Sequence, residues 1–296
     1  MRISSFQKYE LLQRNMASAE GRLVSAQSML ASGKRLERPS DDPFGAHAVL
    51  LFRASKSLTD QHRKAAQAGA ADLRMAESAL GEIGDLMKRA KVLTVQGATA
   101  TVDQSGRLAL AEQIRSLKSR VVELANSRDA GGHYLFAGFR VDKTPFALGP
   151  TPPYLEYQGD QGVQYVEVGP GLTLPKNVLA DQQVIDAYSA LEDAEQRLLA
   201  GDISGLSGVT LELIDDATNG IQLLRAEAGS RVNQFEWAES QAAKRSDEFA
   251  RQISDREDAD LAQTIVEMQT AQTAYQAALA AFSSTAGLSL LDYIRG

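Results

Sequence analysis

The chain has 296 residues, of which 44% are hydrophobic but only 6% aromatic, and its formal net charge is -7. This length is ample for a sizeable core, the low aromatic content suits long packed helices better than a thick globular interior, and the acidic balance gives no electrostatic case for binding nucleic acid or acidic lipid. Cysteine is absent, which excludes disulfide frameworks, thiol catalysis and thiolate metal sites together.

Residues 1 to 32 predict a first helix. Tyr9, Leu12, Met16, Ala19, Leu23, Ala26 and Leu30 recur at alternating spacings of three and four, which is the seam of a coiled coil. The opening residues carry Arg2, Lys8, Glu10 and Arg14 and hold no apolar run of signal-peptide length, so export, if it occurs, is expected to use another route. Ser32-Gly33 reads as the helix end, with Lys34 and Arg35 beside the negative terminus.

The break Pro39-Ser40-Asp41-Asp42-Pro43 sets up a helix start, with Asp42 as N-cap and Pro43 at the first helical position. The second helix is expected from about Phe44 to Val95, with Ala48, Leu51, Leu58, Leu73, Ala76, Leu80, Ile83 and Met87 along its seam and Gly69, Gly81 and Gly84 as points of bending. After a polar loop, Asp103 or Ser105 caps a third helix carrying Leu110, Ile114, Leu117, Val121 and Leu124, which ends near Asn126 and packs antiparallel to the second.

From Gly131 the hydrophobic period falls to two. His133 to Phe139, Tyr154 to Tyr157 and Val163 to Val168 read as strands, with Gly159-Asp-Gln-Gly162 turning between the last two. Helical pattern returns at Val184 to Ala200 and Val209 to Ala228, then runs through Val232 to Phe249 toward the last helix.

The last helix, from residue 258 to 286, places Leu261, Ile265, Met268, Tyr275, Leu279 and Phe282 on one stripe, and no Asp, Glu, Lys or Arg occurs from Met268 to Leu291. A helix this bland on every face requires more cover than one neighbour supplies, so it reads as a self-assembly element. Its many Gln, Thr and Ser residues exclude a membrane span. Residues 1 to 38 carry seven basic and three acidic side chains, and residues 247 to 260 carry two and six. An antiparallel hairpin of the two chain ends would bring Lys34, Arg35 and Arg38 near Asp255, Glu257 and Asp258.

The expected fold is therefore mainly α: an elongated rod of long antiparallel helices from both chain ends, with a small β-rich domain inserted mid-chain. Residues 1–42 and 258–296 form a terminal assembly domain, 43–130 and 181–257 a helical rod, and 131–180 a surface insertion. The candidate assembly interface comprises Leu12, Met16, Leu23, Leu30, Leu261, Ile265, Met268, Tyr275, Leu279, Phe282, Leu290 and Leu291. His47, His62 and His133 are isolated, no Walker sequence or nucleophile elbow occurs, and no catalytic, cofactor or metal site is expected. A soluble signalling coiled coil is the alternative that composition leaves open, and it predicts stable helical termini in the free monomer.

Several motifs occur in order: the opening Met-Arg-Ile-Ser, Ser32-Gly33-Lys34-Arg35, Pro39-Ser40-Asp41-Asp42-Pro43, His133-Tyr134-Leu135-Phe136-Ala137-Gly138, Asp258-Ala259-Asp260-Leu261-Ala262 and Leu288-Ser289-Leu290-Leu291-Asp292-Tyr293. They resemble the flagellin family, and within it the branch that joins hook to filament. The resemblance implies an extracellular structural protein of the bacterial flagellum, exported through the flagellar type III apparatus with a dedicated chaperone. It further implies terminal helices that order on assembly, other copies of itself in a tubular ring, a hook-associated neighbour on the hook side and flagellin on the filament side. Filament flagellins usually show a Lys-Asp-Asp-Ala break and stop soon after the Leu-Leu pair. Here Ser40-Asp41-Asp42-Pro43 and the continuation to Asp292-Tyr293-Ile294 favour the junction branch.

Overall fold

The computed structural model describes the backbone of residues 2–295 and the side chains of residue 7 and residues 9–284. In chain order the elements are α1 (Arg2–Ser32), α2 (Pro43–Gly97), α3 (Gln104–Ala125), β1 (Phe146–Leu148), β2 (Leu155–Tyr157), β3 (Tyr165–Gly169), β4 (Leu172–Pro175), α4 (Asp181–Ala200), a single turn α5 (Ile203–Gly205) leading into a π turn (Leu206–Thr210), α6 (Leu211–Glu257) and α7 (Leu261–Arg295). The chain is mainly helical, with long helices from both ends and a small β region between them. It divides into two compact units, Met1–Leu58 with Arg245–Gly296, and Thr59–Lys244.

In the first unit α1 and α7 form an antiparallel pair. The rings of Tyr9 and Phe282 lie 5.1 Å apart at one point along it, and at the other end the backbone of Lys34 bridges to Asp258. Small residues make the close approach possible: Ala19, Ala26 and Ala271 are buried where the helices meet. Helix α1 ends because Gly33 turns to φ 71°, a left-handed conformation that glycine adopts without steric cost. Helix α2 starts where the sequence places it. The Asp42 carboxylate accepts the Gly45 N–H at 2.9 Å, and Pro43, which has no N–H to satisfy, is the first helical residue. Asp260 does the same for α7, accepting the N–H of Ala262 at 2.9 Å and of Gln263 at 3.2 Å.

In the second unit α2, α3, α4 and α6 enclose one apolar core that includes Leu73, Leu80, Ile83, Met87, Ile114, Leu191 and Phe235. Helices α2 and α6 run antiparallel, as Arg74–Glu236 (2.5 Å) and Lys91–Asp215 (2.7 Å) show. Helix α3 returns beside α2 through Arg120–Glu82 (3.7 Å). All five apolar residues of its expected stripe are buried, and Asp103 caps it by accepting from Gly106. Lys118 lies between α3 and α4, bonded to Glu192 and, at 2.6 Å, to Glu195. Gly69 serves contact: a Cβ there would stand 2.4 Å from the Phe235 ring, so α6 reaches α2 only because that position is bare.

Two expectations change. Leu51 and Leu58, placed on the buried seam of α2, are 55% and 51% exposed. The side chains turned inward there are Val49, which is buried, and Phe52, whose ring stands 6.2 Å from Phe249. The helix is long enough for two stripes to satisfy one periodic pattern, and only one of them is covered.

The β region also pairs differently. β1 pairs with β2 and β3 with β4, giving two separate antiparallel hairpins. The segment 133–139 forms turns, because Asp129 folds it back: its carboxylate accepts the His133 N–H at 2.9 Å and its own N–H donates to the His133 carbonyl at 2.8 Å. Residues 159–162 join the two hairpins. The Asp160 carboxylate there accepts from Phe139 (2.7 Å) and Gly162 (2.9 Å). β1 and β4, of three and four residues, are too short for alternation to reveal.

Candidate functional site

The candidate assembly surface lies on the α1–α7 pair. Leu12, Met16, Leu23 and Leu30 on α1, and Met268, Tyr275 and Phe282 on α7, are half-buried along the contact. Thr264 and Ala271 are buried between them. The intramolecular seam of α7 therefore runs through Thr264, Met268, Ala271, Tyr275, Ala278 and Phe282, rotated from the stripe expected on apolar content alone. Leu261, Ile265 and Leu279 fall beside it, at 52%, 40% and 48% exposure, as does Val266 at 61%. Leu11 and Val24 stand uncovered on α1, each 58% exposed. The side chains of Leu290 and Leu291 lie outside the described residues. An open groove of about 360 Å3, floored by Ala26 and Ala271 and walled by Met29, Val266 and Thr270, runs between the two helices.

Geometry explains this division. One partner helix covers a stripe about two positions wide, whereas α7 is apolar or small over a wider arc, so α1 covers one edge and leaves the other bare.

The hairpin is fastened where α1 ends and α7 begins. Arg35 donates its N–H to the Glu257 carbonyl at 2.7 Å, and Ala259 donates to the Gly33 carbonyl at 2.9 Å, a short stretch of strand-like pairing. The Glu257 carboxylate, on a residue only 6% exposed, takes Lys34 at 2.6 Å and Arg53 at 2.5 Å. The hydrogen bond from Lys34, joined by Arg53, holds that carboxyl below the usual range against the opposing effect of burial. Of the expected ion pairs, Lys34–Glu257 forms. Arg35 instead donates to the Arg256 carbonyl at 2.8 Å, and Asp258 accepts the Ser254 hydroxyl at 2.5 Å. Arg53 carries no local signal of its role, since its partner lies 204 residues away.

The Pro39–Pro43 break forms a compact turn. Asp41 accepts the Arg38 N–H at 2.9 Å and returns its own N–H to the Arg38 carbonyl at 3.0 Å, while Pro39 and Ser40 are exposed at its tip. Ser28 and Ser32 direct their hydroxyls to Glu37, and the bond from Ser32, the stronger influence, holds its carboxyl below the usual range.

Among the described residues, the titratable groups form no catalytic arrangement. His47 is exposed, His62 faces Glu167 at 4.0 Å, and His133 faces Asp129 at 3.4 Å. A cavity of about 140 Å3 in the second unit lies beside Asp72, Asp129, His133 and Lys176; burial pushes the Asp72 carboxyl up, and Lys176 opposes that. Among the described residues no group of three or more His, Asp or Glu is placed to hold a metal ion, and no helix is long and apolar enough to cross a membrane.

Comparison with known proteins matches residues 3–140 to the bacterial flagellin N-terminal helical region and residues 211–294 to the bacterial flagellin C-terminal helical region. The flagellar hook-associated protein 3 of Escherichia coli K12 is 24% identical over an alignment covering 99% of each chain. A flagellin of Listeria monocytogenes is 25% identical over 90% of this chain and 88% of its own. The crystal structure of Bacillus cereus FlgL has a similar fold, with a TM-score of 0.61 at 22% identity, covering 69% of this chain and 99% of that one.

Proposed function

The chain belongs to the flagellin family, and we propose that within it this protein is the structural subunit that joins the hook of a bacterial flagellum to its filament. The observation that carries this reading is the α1–α7 pair, the two family regions folded together with an apolar edge left uncovered. That edge, with Leu261, Ile265 and Leu279 beside the half-buried Met268, Tyr275 and Phe282, finds its cover in neighbouring subunits. The remaining assembly residues are Leu12, Met16, Leu23 and Leu30 on α1, and Leu290 and Leu291 near the chain end.

Similarity to a hook-associated protein over 99% of both chains supports this reading, beside similarity to a flagellin over 90% of this chain. In this reading residues 1–42 and 258–296 line the inner tube, 43–130 and 181–257 support it, and 131–180 face solvent. Copies of the chain close a ring between a hook-associated neighbour and flagellin. The chain reaches that place through the flagellar type III apparatus, escorted by a chaperone. The role is structural, and no catalytic group is assigned.

Immunogold electron microscopy of intact flagella, with an antibody against residues 140–180, tests the reading. One labelled band at the hook boundary is expected. Label along the whole filament would make the chain a flagellin, and label confined to the cell interior would overturn an axial role.

A further inference from the structure

Two exposed stripes outside the α1–α7 pair remain without cover in the monomer. On α2, Phe44, His47, Leu51, Ala54 and Leu58 follow a three-four-three-four spacing, with Phe44 88%, Leu51 55% and Leu58 51% exposed. From the π turn into the start of α6, Val209, Leu213, Asp216, Gly220 and Leu223 follow four-three-four-three, with Val209 51%, Leu213 41% and Leu223 73% exposed. Both follow the spacing of a coiled-coil seam, and at 1.5 Å per residue the α2 stripe extends about 21 Å.

The stripes complement one another. Read backwards, the second spacing equals the first, so an antiparallel pairing aligns Phe44 with Leu223, His47 with Gly220, Ala54 with Leu213 and Leu58 with Val209. Large side chains meet small ones at two of these layers, as knobs-into-holes packing requires. The polar layer, Leu51 with Asp216, is the kind of interruption that fixes register. Charge does not oppose the pairing: residues 44–58 carry no acidic residue and their Arg53 is already bonded to Glu257, whereas residues 209–223 carry the exposed Glu212 and Asp216, with Asp215 bonded to Lys91, and no Lys or Arg.

We infer that these stripes bind each other between copies of this chain, the α2 stripe of one subunit against the α6 stripe of the next. The two surfaces differ, so the contact is heterologous and propagates from copy to copy, closing a ring or winding a helical array according to the rotation at each step. The inference rests on the junction-subunit reading and assigns to it a second, outer contact distinct from the terminal helices.

The test places a photoreactive benzophenone amino acid at Leu51 in the full chain and irradiates flagella isolated from cells expressing a mixture of isotopically labelled and unlabelled copies. Peptide mass spectrometry is expected to find Leu51 joined to residues 209–223 of another copy. Glu212→Lys with Asp216→Lys is expected to lower the adduct yield at least tenfold at low salt. Both positions are exposed, so unchanged helical circular dichroism shows that the loss is one of contact. Adducts elsewhere on the chain, adducts to a different protein, no adduct in assembled flagella, or a yield unmoved by the reversal would each overturn the contact. Immunogold label in the same preparation separates the two claims: a banded protein that cross-links elsewhere sinks the stripe contact alone, and a protein absent from flagella sinks the junction reading.

Discussion

Lys34 and Glu257 stand 2.6 Å apart although they come from opposite ends of the chain, and their pairing ties the loop after α1 to the last residue of α6. Glu257→Gln keeps the side-chain shape but removes the charge that both Lys34 and Arg53 face. Because those cations are about half exposed, the loss falls below that of a fully buried pair, about 1.5 kcal/mol. Amide exchange at Arg35 and Ala259 should accelerate on the order of tenfold. Lys34→Gln, which leaves Arg53 in place, should cost under about 1 kcal/mol.

Acid should reproduce that substitution. The folded Glu257 carboxyl ionises more readily than in the unfolded chain, so its contribution is complete above the unfolded value, about 4.3, and disappears as pH falls through the lower folded value. Wild type and Glu257→Gln should therefore differ in exchange protection at pH 7 and converge toward pH 3. A difference that persists in acid would place the effect in packing.

Gly69 and Phe235 permit a sharper packing test. A methyl at Gly69 would lie 2.4 Å from a fully buried ring, and overpacking of this kind costs about 1–3 kcal/mol. Gly69→Ala should lower the denaturant midpoint of the second unit. Adding Phe235→Leu should recover part of the loss, giving a favourable coupling in the double-mutant cycle.

Legibility in the sequence followed how local the cause was. Helix α3 could be read from its stripe and its Asp103 cap, and the start of α2 from Asp42-Pro43, because those interactions span three or four residues. The stripe on α7 was legible as apolar but not as to which edge meets α1, since that depends on Ala19 and Ala26 at the far end of the chain. Leu51 and Leu58 have the spacing of a core seam and are exposed, because periodicity reports a stripe and not its cover. In the β region the alternation of 133–139 was overridden by Asp129, and β1 and β4 were too short to register.

Gly138 is where the turn after Phe136 admits no side chain. Its φ of 70° disfavours any other residue by about 1–2 kcal/mol, and a Cβ would stand 2.2 Å from the Asp160 carbonyl oxygen. Gly132, at φ 85°, has open space around the same point. Gly138→Ala should therefore displace residues 158–162 and expose the loop to protease, while Gly132→Ala should show the conformational cost alone. Equal effects would mean that the Asp160 approach is unimportant.

Met268 and Leu279 separate folding from assembly on the same helix. Met268 is half-buried against α1, so Met268→Ala removes packing within the monomer, about 1–2 kcal/mol for a partly covered side chain. Leu279 is 48% exposed, and Leu279→Ala should leave amide exchange in α1 and α7 within about twofold of wild type. In the assembled state the order should reverse. If Leu279 is covered by a neighbouring copy, its truncation weakens every subunit contact around the ring, and the chain concentration needed for assembly should rise several-fold, as about 1 kcal/mol per site implies. Leu279→Ala that assembles like wild type would show that the exposed edge of α7 is not an interface. Parallel exchange and assembly measurements on the two variants would then confine the role of α7 to its pairing with α1.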